Sequence, residues 1–266
     1  MATEASAVVR HYGVDDLVER VLRALSAAGH DSSQPTVEML NLADQLHGGG
    51  LSATKTQAEL AGIAAGMRVL DAGCGIGGSS RFLAHAYGCR VDAIDLTPQF
   101  VAAAERFNAL CGLSDEIAVR EASVTALPFE DRRFDQVWSQ NVTMNVADKR
   151  AMFSEAFRVL KPGGRFSFTH LALGPAGKPI YPLPWASDAS YSFLGRPDEI
   201  LQILRDVGFG KIESRSEVSG PGTRPPDDIG AAAAMGADMP QRQANAARST
   251  KEGRLVPMLV IAERPD

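Results

Sequence analysis

The run Val69-Leu70-Asp71-Ala72-Gly73-Cys74-Gly75-Ile76-Gly77-Gly78 constrains this chain more than any other, because it reads as a buried strand that passes into a glycine-rich turn and opens a helix. Glycines at 73, 75, 77 and 78 can take positive φ and, having no Cβ, let a ligand approach the backbone closely. A helix starting near Ser79 would aim its free N–H groups into the same space. Gly73, Gly75 and Gly78 satisfy GxGxxG, a dinucleotide spacing, and Gly73, Gly75 and Gly77 satisfy GxGxG. Alone, neither spacing is specific.

Around this turn the apolar periods alternate between helix-like and strand-like, which implies a layered α/β domain. Helices are expected at 55–63, 79–87, 98–111, 148–160 and 197–206, and strands at 68–72, 90–95, near 117–120, 134–139, 165–171, near 211–217 and 255–263. Upstream, Val14, Leu17, Val18, Val21, Leu22 and Leu25 form one apolar stripe, so an amphipathic helix at 14–25 precedes the core, with a second short helix at 37–46. At 266 residues, one core with a cap is expected. We divide it into a helical cap or lid at 1–54 and a core at 55–266, with 172–196 and 219–253 as substrate-side loops.

Composition narrows the partners. A net charge of −5 supplies no basic footprint for nucleic acid or an anionic membrane. The amino terminus lacks a basic start leading into an apolar run, and no apolar run approaches membrane-spanning length, so neither a secretory signal nor a span is expected. Three cysteines, Cys74, Cys89 and Cys111, suit a reduced cytoplasmic protein. Five scattered histidines without ligand spacing point to no metal. The oligomeric state is not legible, and a homodimer stays open.

The turn's flanks give it a chemistry. Asp71 sits at the strand end, where a carboxylate suits a ligand with an ammonium group and would repel a pyrophosphate. Asp95 closes the next strand, Arg90-Val91-Asp92-Ala93-Ile94-Asp95, in place to accept from both hydroxyls of a ribose. Farther on come Ala126-Leu127-Pro128-Phe129, Phe134-Asp135-Gln136-Val137-Trp138 and Arg158-Val159-Leu160-Lys161-Pro162-Gly163-Gly164-Arg165. With this ordered set the chain resembles the class I S-adenosylmethionine (SAM) dependent methyltransferases, near the small-molecule branch that includes ubiquinone/menaquinone and sarcosine/dimethylglycine methyltransferases. The resemblance covers roughly residues 40–266.

It implies a Rossmann-like α/β fold with a mostly parallel seven-stranded sheet, and a SAM cofactor leaving as S-adenosylhomocysteine (SAH). It also implies metal-independent methyl transfer to a nitrogen, oxygen, sulfur or carbon of a small molecule. Carried over residue by residue, Asp71, Gly73, Gly75 and Gly77 would face the methionine and ribose part, Asp95 the ribose and Leu96 the adenine. Ser123 and Val124 stand where relatives commonly have Gly-Asp-Ala, so the adenine amino group would meet a hydroxyl instead of a carboxylate. Gln140, Gln45 and Thr54 are further cofactor candidates. His47, Asn141, Met144, Asn145, Tyr181 and Trp185 are candidates for the acceptor pocket, Tyr181 and Trp185 through a lid or a cation-π contact. His170 ends a strand at the same edge and is the candidate general base, a plain polar strand end being the alternative. The segment lacks the Asp/Asn-Pro-Pro-aromatic tetrapeptide of enzymes that methylate bases in nucleic acid.

Two other readings stay in view. One is a SAM-binding but inactive partner subunit. The other is a nicotinamide-dependent oxidoreductase, against which the absence of a Tyr-x-x-x-Lys pair weighs.

Overall fold

The computed structural model describes residues 9, 11–13, 16–216, 229 and 232–266. Apolar stripes and caps in the sequence become α1 (Leu17–Ala27), α2 (Val37–Leu40) and α3 (Gly50–Ala61). The alternating core follows as β1 (Arg68–Ala72), α4 (Gly78–Tyr87), β2 (Arg90–Asp95), α5 (Pro98–Leu110), β3 (Ile117–Glu121), β4 (Phe134–Gln140), α6 (Lys149–Val159), β5 (Leu160–Leu173) and α7 (Pro197–Val207). The chain ends with β6 (Gly210–Arg215), α8 (Ala232–Met235), α9 (Met239–Lys251) and β7 (Leu255–Glu263).

One seven-stranded sheet joins them in the order β3-β2-β1-β4-β5-β7-β6, with β7 antiparallel to both neighbours and the other pairings parallel. The sequence steps outward from β1 to β3 and then returns across it to β4. Order therefore reverses between β1 and β4, and the crevice beyond their carboxyl ends is where such sheets take ligands. Alternation along the strands sorts the core onto two faces. Leu70, Phe166 and Phe168 pack with Phe153 of α6 and Leu204 of α7, while Val69, Val91 and Ala93 pack with Leu83 of α4 and Ala58 of α3.

Three expectations are corrected. The helix expected at 37–46 ends at Leu40, because Asp44 and Gln45 turn inward to hydrogen-bond Arg81 and Asn41. The helix expected at 55–63 begins at Gly50, so a boundary at residue 54 cuts through α3. The strand expected at 165–171 is the middle of the longer β5. Val14 and Asp15 of the first helix, the end of the 211–217 strand, and 219–228, 230 and 231 of the segment 219–253 lie outside the described residues. The rest of that segment carries α8 and α9. Among the described residues no helix is long and apolar enough to cross a membrane.

Candidate functional site

A cavity of about 360 Å³ opens at the β1/β4 reversal. Its foundation is the glycine turn. Gly73 N–H and Cys74 N–H both donate to Ile94 O, at 2.9 and 2.8 Å, which pins the turn to β2. Gly73 has φ +86°, and a Cβ there would stand 2.3 Å from Val142 Cγ2, so no other residue fits without moving the loop after β4. Gly75 N–H then donates to Asp95 Oδ2 at 2.9 Å, and Thr97 N–H donates to Asp95 Oδ1 at 2.9 Å. Burial raises the Asp95 pKa, and these two N–H groups pull against that shift. Gly73, Gly75, Asp95 and Leu96 all line the cavity.

Asp71 also reaches the wall, but its carboxylate accepts the Ser80 hydroxyl at 2.6 Å, and burial pushes its pKa up to about 7. A cation arriving beside it would restore the ionised form. Gly77 does not line the cavity. It caps α4 with φ +82°, and a Cβ would meet Arg81 Nη1 at 2.8 Å, so this glycine serves the packing of the helix start.

The polar wall on the other side of the turn is a network. Gln45, His47 and Gln140 line the cavity, whereas Thr54 is fully buried behind them. The Thr54 hydroxyl donates to Gln45 Oε1 at 2.7 Å, accepts from Gln140 Nε2 at 3.3 Å, and lies 3.1 Å from His47 Nε2. Gln140 also accepts a hydrogen bond from Ser79 at the start of α4. Thr54 thus positions wall residues and is not one. Ser123 and Val124 line the opposite end, with the Ser123 hydroxyl 2.8 Å from that of Thr125.

Past β4, Asn141 takes φ +54°, a left-handed conformation that asparagine tolerates better than most residues, and lines the cavity with Met144, Asn145 and Trp185. Asn145 is held on both sides: Nδ2 uses its two N–H groups on Trp185 O (3.0 Å) and Tyr191 O (3.2 Å), and Oδ1 accepts from the Tyr12 hydroxyl at 3.2 Å, with one lone pair left. It ties the loop carrying Trp185 to the β4 edge and to the N-terminal segment. Tyr181 packs in the small apolar cluster with Leu183 and Trp185 and does not reach the wall.

His170 is the clearest correction. Successive residues of β5 face opposite sides, and His170 shares its side with Phe166, Phe168 and Ala172, beneath α6, while Leu171 faces the cavity. The ring is buried, its pKa is driven down to about 3 by that burial and by the Lys149 ammonium, and neither nitrogen has a partner among the described residues. It does not touch the cavity, so it is no base for a molecule bound there.

Several wall residues escaped the sequence reading. Tyr12, Met235, Gln243 and Ala246 come from segments distant in sequence from the glycine turn, Phe100 comes from the first turn of α5, and no local pattern marks them. Leu171 could have been found, since it is the strand-parity neighbour of His170.

The methyltransferase-domain family model matches residues 70–168. A sarcosine/dimethylglycine N-methyltransferase of Halorhodospira halochloris is 36% identical over 144 residues, 54% of this chain and 52% of that protein. The chain thus spans about half the length of this curated relative and less of others it matches. Among solved structures, a geranyl diphosphate C-methyltransferase of Streptomyces coelicolor A3(2), complexed with Mg2+, geranyl-S-thiolodiphosphate and SAH, superposes with a TM-score of 0.72 at 21% identity over 99% of both chains. A [4+2]-cyclase, SpnF, superposes with a TM-score of 0.69 at 22% identity over 99% of this chain and 97% of that one. At these identities the superpositions speak for the fold alone.

Proposed function

From the premise that residues 70–168 carry a methyltransferase domain, we propose that the protein binds SAM at the glycine turn and transfers its methyl group to a small molecule held in the same cavity. The observation that carries this reading is the bond from Gly75 N–H to Asp95 Oδ2. It joins a glycine-rich turn and a carboxylate at the ends of adjacent parallel strands, on one wall. A carboxylate held by two backbone N–H groups keeps lone pairs for two further donors, which is what a ribose diol offers. Asp71 would meet the ammonium end, Leu96 the adenine face, Ser123 the adenine amino group, and Gln45, Gln140 and His47 the methionine end.

SAM supplies an electrophilic methyl group on a sulfonium. The chain's own contribution is placement and dryness. Apolar side chains of Leu171, Trp185 and Met144 would hold an acceptor against the cofactor and exclude water, and proximity of that kind can supply at most about 7–11 kcal/mol of barrier reduction. With His170 off the wall, a protic acceptor would give up its proton to a water or to a wall group. No nucleic-acid or membrane partner and no metal is proposed, and the reduced cysteines fit the cytoplasm.

Calorimetric titration with SAM and with a nicotinamide dinucleotide tests the cofactor assignment. SAM should bind and the dinucleotide should not; the reverse order would overturn the proposal. Because the same fold also serves a cyclase, a methyl-transfer assay over a metabolite panel must separate an active enzyme from a SAM-binding partner subunit.

A further inference from the structure

We infer that the acceptor is an uncharged, mostly apolar molecule, and that Gln243 hydrogen-bonds its polar group. The inference rests on the methyl transfer proposed above and concerns the half of the cavity away from the glycine turn. That part is walled by Met144, Leu171, Pro184, Trp185 and Ala246, four of which pack in one apolar cluster. They come from the loop after β4, the end of β5, the loop before α7, and α9, so four separate segments converge there.

Charge on the wall points the same way. Asp44, Asp71, Asp95 and Asp148 reach it, and no lysine or arginine among the described residues does. The cations bonded to wall segments spend their donors inside the protein. Arg81 holds Asp44, Asn108 and Ile76 O. Lys149 donates to Val146 O and Phe193 O. Arg242 donates to Asp238, Leu183 O and Ser187. A phosphate or carboxylate on the acceptor would be desolvated without a counter-charge and beside like charges. For a cationic acceptor, Asp71 and Asp95 stand at the strand ends beside the glycine turn, where the cofactor is proposed, Asp44 is paired to Arg81, and Asp148 is exposed and caps α6 through Ala151 N–H at 2.9 Å; the rings of Tyr12, Phe100 and Trp185 on the same wall make a cation the competing outcome that geranylamine tests.

The polar groups of this half are few. Asn145 has both amide N–H groups engaged, the Trp185 indole N–H donates to Ser192 Oγ at 2.9 Å, and Asn141 Oδ1 accepts from the Thr169 hydroxyl at 3.3 Å, which leaves Asn141 Nδ2 without a partner among the described residues at the β4 edge. Gln243, half-buried on α9, lines the cavity and its amide makes no hydrogen bond to any described residue. An amide both donates and accepts, so it would serve a hydroxyl or carbonyl on the acceptor.

The test uses one hydrocarbon chain with three head groups. Geraniol, geranylamine and geranyl diphosphate are titrated into the full-length protein saturated with SAH. Geraniol should bind at least about tenfold tighter than either charged probe. Gln243→Leu should weaken geraniol about fivefold or more while SAH affinity is unchanged, and Gln243→Arg should move the preference toward the diphosphate by about tenfold. A charged probe binding as tightly as geraniol, or no geraniol binding to protein that holds SAH normally, overturns the inference and leaves the cofactor assignment standing. An unaltered geraniol affinity in both Gln243 variants removes that residue's role. Failure of SAH itself to bind takes down the underlying function, a separate and visible result.

Discussion

Arg81 Nη2 lies 2.8 Å from Asp44 Oδ2, and both side chains are sealed from solvent. The same guanidinium donates to Asn108 Oδ1 at 3.0 Å and to Ile76 O at 2.7 Å, so one cation binds α4, α5, the glycine turn and the 41–49 segment together. Gly78 makes the approach feasible, since a Cβ there would stand 2.6 Å from Asp44 O.

Removing the anion strands that cation. Asp44→Ala should destabilise the protein by about 3–5 kcal/mol, read from urea unfolding midpoints, because an unpaired buried charge costs more than a lost pair. The double variant Asp44→Leu with Arg81→Met should recover part of the loss. If the double variant is no more stable than Asp44→Ala, the pair's desolvation is not what dominates.

Two glycines of the turn should respond differently to alanine. At Gly73 the new Cβ would collide with Val142 at 2.3 Å as well as sit at φ +86°, whereas at Gly75 the nearest atom, Leu46 Cδ1, is 3.6 Å away and φ is +55°. Gly73→Ala should therefore abolish SAM binding, and Gly75→Ala should cost on the order of 1–2 kcal/mol of backbone strain with the ligand's space still partly open. Equal SAM affinities in the two variants would mean that the turn is built otherwise.

Asp95→Ala removes the acceptor proposed for two ribose hydroxyls and releases the N–H groups of Gly75 and Thr97. Charge-assisted hydrogen bonds of this kind contribute about 1.5–3 kcal/mol each, so SAM affinity should fall at least about tenfold in calorimetry on folded protein. A change within twofold would place the ribose elsewhere.

The parts of this site that were legible are those in which a few adjacent residues carry the whole signal. Gly73 and Gly75 announce a turn, Asp95 closes an apolar strand, and the strand-helix rhythm around them leads to the sheet with its reversal between β1 and β4. Gly77 and Thr54 sit among such residues yet act one layer back, because identity and spacing do not say which way a side chain turns. His170 failed on parity, one residue along a strand separating the cavity from the core. Tyr12 and Gln243 were out of reach for another reason: they enter through the packing of α9 and the N-terminal segment, which depends on contacts distant in sequence.

His170 also sets a pH dependence. An unfolded chain protonates histidine near pH 6.5, but the buried ring holds no proton until about pH 3, so acid drives protons onto the unfolded state alone. Stability should fall as pH drops from about 6.5 toward 3, by about 1.4 kcal/mol per pH unit for this one group. Asp71, with its pKa raised to about 7, works in the opposite direction, since its folded form keeps the proton longer. His170→Leu should remove the histidine contribution and flatten the acid limb of a stability profile. A variant whose acid limb keeps the original slope would show that other groups govern it.

The N-terminal helix is the place where docking and motion make different forecasts. The stripe of α1 buries Leu17, Val21 and Leu25 against Leu40, Ile76 and Phe107. Burial of three aliphatic side chains contributes about 1.5–3 kcal/mol each, which is more than a frequently opening lid can give up per cycle. The contacts nearest the acceptor lie just ahead of it, where His11 Nε2 bonds Pro184 O at 3.0 Å and the Tyr12 hydroxyl donates to Asn145 Oδ1. Amide protection across Leu17–Ala27 should therefore be the same with and without SAH and acceptor, while Tyr12→Phe should raise KM for the acceptor and leave SAM affinity alone. Deleting residues 1–30 should cause aggregation, because Phe107 and its neighbours would lose their cover. A rise in protection across Leu17–Ala27 on ligand binding would instead make the helix itself the moving part.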